Sequence, residues 1–400
     1  MTSAIGGSVS GPDLTDLTDL TDVTDVMDVM VVGGGPAGSS CARALQKRGL
    51  RVAVLDRAEF PRDKICAGWV TPQVLELLDV DLDDYSRDGR VFQPITGFRT
   101  GTMSGREVET DFGRAVSYGI RRCEFDEYLL RRTGAELLLG ESLESLERCD
   151  SGWRINGRCE ARVVVGAGGH FCPVARRLGA RSVEGASVVR AQEVEFAIPA
   201  GQHESVAVRP ERPELHFCDD LSGYGWCFRK GDFLNIGLGR LDPAGLADHV
   251  ADYTRLLAER GRVGCEIEGR FKGHAYQLYE RVVPRLVDDG VLLIGDAAGL
   301  AYPQSGEGIR PAVESGVIAA GVIAEALSGP AGDVTAESLK PYAESIEARF
   351  GRPRTSSMSG WLPNRVLEGL AARLMGTGWF SRKVVIENWF LHSGEPVLEA

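Results

Sequence analysis

The chain has 400 residues, 43% apolar, 26% charged and 7% aromatic, which excludes a disordered, collagen-like or coiled-coil polypeptide and suits two closely joined globular domains. A net charge of −12 at pH 7 leaves no broad basic footprint, so no nucleic-acid partner is expected. Nine cysteines are scattered, odd in number and never in a CxxC pair, which points to free thiols, no metal site and a reducing, cytoplasmic setting.

Residues 1–27 read as a disordered acidic tail. From Asp13 the chain runs DLTDLTDLTDVTDVMDVM, an aspartate every third residue, a period that gives neither a helix nor a strand one apolar face. No Lys or Arg precedes Arg43, so a secretory signal is not expected, and no uncharged apolar run reaches the roughly 18–20 residues of a membrane span.

At Asp28 the pattern changes. Val29–Val32 is a short apolar run suited to a buried parallel strand, and Pro36–Arg48 has helix-forming composition with Gly49 as its stop. Val52–Leu55 gives a second buried strand ending at Asp56, so the order is a βαβ unit. Residues 91–116 and 181–285 carry short alternating segments, such as Ser187–Phe196 and Phe233–Leu238, that predict an antiparallel sheet in a second domain. Residues 28–90, 117–180 and 286–330 are expected to form the nucleotide domain. Its last part holds a strand at Gly290–Ile294, a glycine-rich loop and a helix through Ala312–Leu327. Residues 331–400 read mainly as helix, with Trp361, Trp379 and Trp389 as anchors for core contact or for a peripheral lipid surface.

Two motifs carry chemistry. Gly33-Gly34-Gly35-Pro36-Ala37-Gly38 is a G-x-G-x-x-G between strand and helix. Gly33 permits the tight turn, Gly35 lets a pyrophosphate approach the backbone, and Gly38 lets helix pack on strand. The helix N-terminus offers N–H groups and a positive dipole end to the phosphates, and Asp56, 18 residues beyond Gly38, can accept from ribose hydroxyls. The second motif, Val291–Gly299 followed by Tyr302–Ile309, places Asp296 at the end of a buried strand and glycines 306 and 308 where backbone N–H groups meet a ligand. Together the two would hold both ends of one extended dinucleotide, with a capped glycine turn as the structural alternative.

These motifs resemble the FAD-dependent geranylgeranyl reductase family, within the p-hydroxybenzoate hydroxylase-like flavoproteins. The resemblance runs from about Asp28 to the C-terminus and also rests on Phe60-Pro-Arg-Asp-Lys-Ile-Cys-Ala-Gly68, on Arg122-Cys-Glu-Phe-Asp126 and on Tyr224-Gly-Trp226-Cys-Phe228. It implies an α/β fold: a Rossmann-like FAD-binding domain interleaved with an antiparallel-sheet substrate domain, then a helical C-terminal segment. By this resemblance Gly33, Gly35, Ala37 and Gly38 contact the FAD diphosphate, Asp56 the adenosine ribose, and Arg122 the diphosphate region. Asp296 holds the ribityl chain, Gly308 and Ile309 point N–H groups at the isoalloxazine, Cys66, Ala67 and Gly68 line the flavin, and Leu143 touches adenine.

Two departures stand out. The usual G-A-D-G reads Gly166-Ala-Gly-Gly-His170, which leaves the electron donor open between NADPH, NADH and another reductant. Arg229 replaces the final proline of the aromatic signature.

If the flavin reduces an alkene, hydride goes to one carbon and an acid supplies a proton to the other. Cys66 is the matched candidate acid, with a small buried hydrophobe as the alternative. Tyr224 and Trp226, two apart on a strand, share a face and wall an apolar tunnel or pack the core. His170 and His274 read as isolated hydrogen-bonding residues rather than bases. The expected reaction is reduction of carbon–carbon double bonds in an isoprenoid or other lipophilic substrate. The alternatives are an FAD-dependent monooxygenase (a hydroxylase; the halogenase signature W-x-W-x-I-P is not matched) and a non-catalytic electron carrier.

Overall fold

A computed structural model describes residues 26–180, 188–279, 285–329, 334–351 and 373–398. The acidic repeat lies outside these residues up to position 25, and ordered strand begins at Met27. Strand Met27–Val32 runs parallel to Val52–Asp56 on one side and to Cys159–Gly166 on the other. Glu136–Leu139 and Val291–Leu293 continue the parallel order outward. Helices cover both faces, which is why the central strands are continuous Val, Met and Leu rather than alternating.

Helix Pro36–Lys47 follows the first strand, and helix Ile309–Ser328 crosses it. At the crossing a Cβ on Gly316 would lie 2.5 Å from the Ala37 carbonyl oxygen, so only glycine permits this approach. Ile309–Ser328 is 20 residues long and apolar enough to cross a bilayer, but most of its surface is buried in this crossing and against the sheet.

A second, seven-stranded sheet runs in the order Lys272–Gln277, Val188–Ala197, Phe233–Arg240, Gly223–Lys230, Glu214–Phe217, Gly97–Thr102 and Val108–Asp111. It is antiparallel except where Glu214–Phe217 meets Gly97–Thr102, two strands contributed by separate passages of the chain. Leu234, Ile236 and Leu238 pack one face on helix Leu246–Glu259. The other face carries Trp226 and Phe228 toward the nucleotide domain and the C-terminal helix. Phe92–Ile95, Ser117–Ile120 and Trp69–Val70 make a small third sheet at the junction. Residues 92–95 and 117–120, which the sequence reading assigns to different domains, are antiparallel partners there.

Helix Ala336–Phe350 starts at a Thr335/Ser338 capping box. The π-type helix Ser381–Phe390 lays Val385, Ile386 and Phe390 on the aromatic sheet face. Trp389 is half-buried and edge-on to Phe217 and Phe380, whereas Trp379 is 71% exposed; Trp361 lies outside the described residues.

Candidate active site

The glycine loop is shaped by the chain's own backbone. Gly33 has φ +118°, and a Cβ there would lie 2.4 Å from the Ala167 carbonyl oxygen; one on Gly38 would lie 1.8 Å from that of Gly33. A Cβ on Gly35 would meet only the Arg62 guanidinium, at 3.4 Å, so that glycine faces a space the protein leaves for a ligand. Pro36 and Ala37 open the helix, with Ala37 buried. The Asp56 carboxylate accepts from Gly34 N–H at 2.7 Å and from Ala58 N–H at 2.9 Å, which fixes the loop and keeps lone pairs for a ribose. Glu141 N–H donates to the Asp56 carbonyl, bringing the Leu143 loop to the same end of the sheet, where Leu143 packs half-buried.

The far end is assembled by one packing contact. Gly295, at φ +59°, sits where a Cβ would lie 3.0 Å from the Ala37 Cβ and 3.3 Å from that of Ala312. The Asp296 turn, the first helix and the late helix therefore converge. Gly308 caps helix Ile309–Ser328, and a Cβ on it would lie 3.0 Å from Asp296 Oδ1, so the carboxylate and the first-turn N–H groups face one small space.

Between the two ends lies a basic cluster. Arg122 binds Asp126 through Nε–Oδ1 and Nη2–Oδ2 contacts of 2.8 Å each, and Arg62 Nη1 stands 3.3 Å from the same carboxylate. Asp126 is fully buried, and Arg62 Nη1 has no hydrogen-bond partner. Lys64 Nζ lies 2.8 Å from His274 Nε2, and that nitrogen is 4.0 Å from Asp296 Oδ2. Burial and the nearby Arg122 charge bring the Lys64 pKa down to about 8. Burial and the charges of Lys64 and Arg122 push His274 down to about 3, so its ring is neutral. His170 is lowered by burial and feels both Asp296 and Lys64. The two histidines read as isolated in the sequence therefore sit at the Asp296 end. A guanidinium that turns Nη1 to Asp126 and Nη2 to a glycine with room suits a diphosphate at that glycine. FAD fits these residues.

Cys66, Ala67 and Gly68 form the junction with the second sheet. Cys66 N–H donates to Glu193 Oε1 at 2.6 Å, Asn235 Nδ2 donates to the Cys66 carbonyl at 3.3 Å, and Gly68 N–H donates to the Cys66 Sγ at 3.4 Å. Gly68 has φ +66°, and a Cβ there would lie 2.4 Å from Lys230 Nζ. Trp226 is buried with its indole N–H on Asn235 Oδ1 at 2.7 Å. Tyr224, 6.0 Å from it centroid to centroid, donates its hydroxyl to the Ser305 carbonyl in the flavin-side loop. Phe390 closes this wall, edge-on to Tyr224 at 5.4 Å and stacked on Trp69 at 5.2 Å.

These contacts join the Gly33–Gly38 loop to the Asp296 turn and Gly308, and the Cys66–Gly68 loop to Trp226, while Asp56 and Leu143 lie together at the ribose end. Sequence reasoning assigned no role to Arg62 or Lys64, although both stand in the quoted Phe60–Gly68 motif, and it passed over Glu193, Asn235 and Tyr276, whose hydroxyl a Cβ on Gly306 would meet at 2.3 Å. Alternation on strands Val188–Ala197 and Phe233–Arg240 is the signal that could have found the first two of these. Among the described residues no group of three His, Cys, Asp or Glu side chains is placed to hold a metal.

The FAD dependent oxidoreductase domain family matches residues 28–102. The chain is 34% identical over 308 residues to a geranylgeranyl diphosphate reductase of Rhodobacter capsulatus, covering 72% of this chain and 73% of that protein. It is 28% identical over 347 residues to a digeranylgeranylglycerophospholipid reductase of Methanosphaera stadtmanae, covering 80% and 83%. The fold is similar to that of a geranylgeranyl bacteriochlorophyll reductase-like protein of Thermoplasma acidophilum, with TM-score 0.73, 20% identity and coverage of 92% and 99%. The glycine cradle, the Asp296 turn and these relatives together place the chain in the geranylgeranyl reductase family of FAD-dependent oxidoreductases.

Proposed function

We propose that this enzyme reduces carbon–carbon double bonds in the chain of an isoprenoid, or a closely similar lipophilic, substrate. The observation that carries this reading is the Cys66–Gly68 loop, held between the Asp296 end of the cofactor site and the aromatic wall of Tyr224 and Trp226. The two relatives' names share a geranylgeranyl group and differ in head group, so the common feature is the apolar chain, which an aromatic wall suits.

Bound FAD supplies the hydride. Gly33, Gly35, Ala37 and Gly38 hold the diphosphate with Arg62 and Arg122, Asp56 and the Leu143 loop take the adenosine end, and Asp296, Gly308 and Ile309 fix the flavin end. Tyr224 and Trp226 orient the alkene and exclude water, and the Cys66 thiol offers a proton to the second carbon. The donor is NADPH, NADH or another reductant. In this reading the enzyme is cytoplasmic, and Trp379 and Leu374, both exposed beside the C-terminal helix, make a peripheral lipid contact from which an apolar substrate enters.

Anaerobic mixing of photoreduced enzyme with geranylgeranyl substrates tests the reaction. Flavin absorbance returns in step with alkene loss if the reading is right. Reoxidation by oxygen alone, coupled to substrate hydroxylation, overturns it, and bleaching by NADPH or NADH identifies the donor.

A further inference from the structure

Beneath the aromatic wall one strand carries two carboxylates, Glu193 buried and Glu195 half-buried, and they are treated differently. Glu195 meets Lys230 Nζ at 2.6 Å, Arg121 Nε at 3.2 Å and Asn235 Nδ2 at 3.2 Å. It is a well-compensated anion, and those partners hold its pKa below the usual range despite burial. Glu193, two residues earlier and on the same face, is 5% exposed; its Oε1 accepts one backbone N–H, from Cys66, and its Oε2 has no partner.

Gly237 makes room for this arrangement. A Cβ there would lie 2.2 Å from the Trp226 ring and 2.8 Å from the Glu193 Cβ, so the missing side chain lets the acid and the indole meet beneath Cys66. The charged groups around Glu193 are Glu195 on its own strand, Lys230 on Gly223–Lys230 and Arg122 beyond the Cys66 loop. Lys272 stands opposite it in register but is paired with Asp63. With Lys230 engaged by Glu195 and Arg122 by Asp126, burial dominates and brings Glu193 up to about 7. Adjacent carboxyls driven apart in this way divide into an anion and a proton carrier.

We propose that Glu193 is the proton reservoir of the reaction, a positioning residue that fixes Cys66 through its amide and returns a proton to its thiol after each turnover. The inference rests on the reductase reading. The S–H bond breaks as the new C–H bond forms, the electron pair arrives as hydride from reduced flavin, and the thiolate left behind takes the Glu193 proton. Solvent then reprotonates the carboxylate.

The test compares wild type with Glu193→Gln, which keeps an acceptor for the Cys66 N–H but carries no titrating proton. In holoenzyme, infrared difference spectra across neutral pH should show a protonated-carboxyl band that titrates near pH 7 and is lost in Glu193→Gln. Multiple-turnover reduction of geranylgeranyl diphosphate, driven by excess reductant, should fall about 100- to 1,000-fold in the variant and lose its pH dependence, the scale of general-acid catalysis, while the first turnover, which uses the thiol proton already in place, falls far less. Asn235→Ala, which loosens the same loop, should slow turnover but keep the wild-type pH profile. A Glu193→Gln enzyme with the wild-type rate and profile overturns the proposal, as does survival of the titrating band. If that variant does not fold, a wild-type multiple-turnover rate that is flat from pH 6 to 8 overturns it equally. If no geranylgeranyl substrate reoxidises wild-type flavin, the reductase reading fails, and the infrared experiment still reports whether Glu193 holds the proton.

Discussion

Asp126 is the one anion serving two guanidinium groups next to the glycine loop, and replacing it with asparagine isolates what that anion does. Both Arg122 contacts are 2.8 Å and the Arg62 contact is 3.3 Å, with Asp126 fully buried and Arg122 8% exposed. Removing one partner of such a buried pair costs about 3–5 kcal/mol, and the retained amide oxygen puts the expected loss near the lower end, about 3 kcal/mol. That loss applies to protein without FAD. Arg62 bridges the two positions, with Nη2 beside Gly35 and Nη1 3.3 Å from Asp126, so the FAD diphosphate brings negative charge to the guanidinium from which Asp126→Asn removes it. Urea unfolding at zero and saturating FAD should therefore show a smaller loss with FAD, by at least about 1.4 kcal/mol. Closing the thermodynamic cycle, the variant binds FAD about tenfold tighter even though it is less stable. Equal losses with and without FAD, or weaker FAD binding, would refute the account of Arg62 as a phosphate ligand.

Gly38→Ala places a methyl 1.8 Å from the Gly33 carbonyl oxygen, so the purified variant should be colourless; a normal flavin spectrum would contradict the cradle geometry. Asn235→Ala leaves the Trp226 indole N–H buried without its acceptor and should cost about 1–3 kcal/mol in thermal or urea unfolding. Glu314, 2% exposed, joins Arg310 and Arg349, which donate to the Pro396 carbonyl, so Glu314→Gln should release the C-terminal residues to proteolysis before the rest of the fold. Burial raises the folded pKa of Glu193 and Glu214 to about 7 and of Glu307 to about 8. The Glu307 side-chain oxygens are fully buried although the residue as a whole is half-exposed. Acids with raised folded pKa stabilise most below their unfolded pKa and lose that contribution as pH rises through the folded value. His216 and His274, lowered mainly by burial, oppose this only up to about their unfolded pKa near 6.5. Stability without FAD should thus fall from about pH 6.5 to 8 by up to about 1.4 kcal/mol per pH unit for each acid still protonated, and Glu307→Gln should remove the portion nearest pH 8.

The nucleotide half was legible because its signals are local. Val29–Val32, the glycine run and Val52–Leu55 each declare their conformation within a few residues, and strand, helix and strand appear at Met27–Val32, Pro36–Lys47 and Val52–Asp56. The junction was not legible in the same way. Phe92–Ile95 pairs with Ser117–Ile120 across an excursion that contributes two strands to a different sheet, and nothing in either segment's pattern identifies its partner. The polar layer under Cys66 was hidden for a related reason. Glu193, Glu195 and Asn235 occupy the inward positions of alternating strands, and the functional meaning comes from which residue lies opposite, which only the register supplies. Phe390 offered no signal, since an aromatic residue on a late helix has no visible target in the sequence.

The Gly166–His170 departure is best understood through packing. Gly168 lies where a Cβ would sit 3.2 Å from both Cys172 Cα and Pro173 Cδ, and the neighbouring Ala167 carbonyl presses on Gly33. The segment therefore still braces the glycine loop, and a side chain at 168 would force Cys172 and Pro173 to give way. What changes is charge. An acid is replaced by glycine, while His170, two residues on, stands in the field of Asp296 and Lys64 with its pKa lowered by burial. The surroundings thus lose an anion and gain a neutral ring. Arg62, Lys64 and Arg122 belong to the segments that match the family, so the missing acid at position 168 is the change in charge. The departure therefore changes charge beside the glycine loop while its backbone still braces Gly33 and leaves the FAD cradle intact.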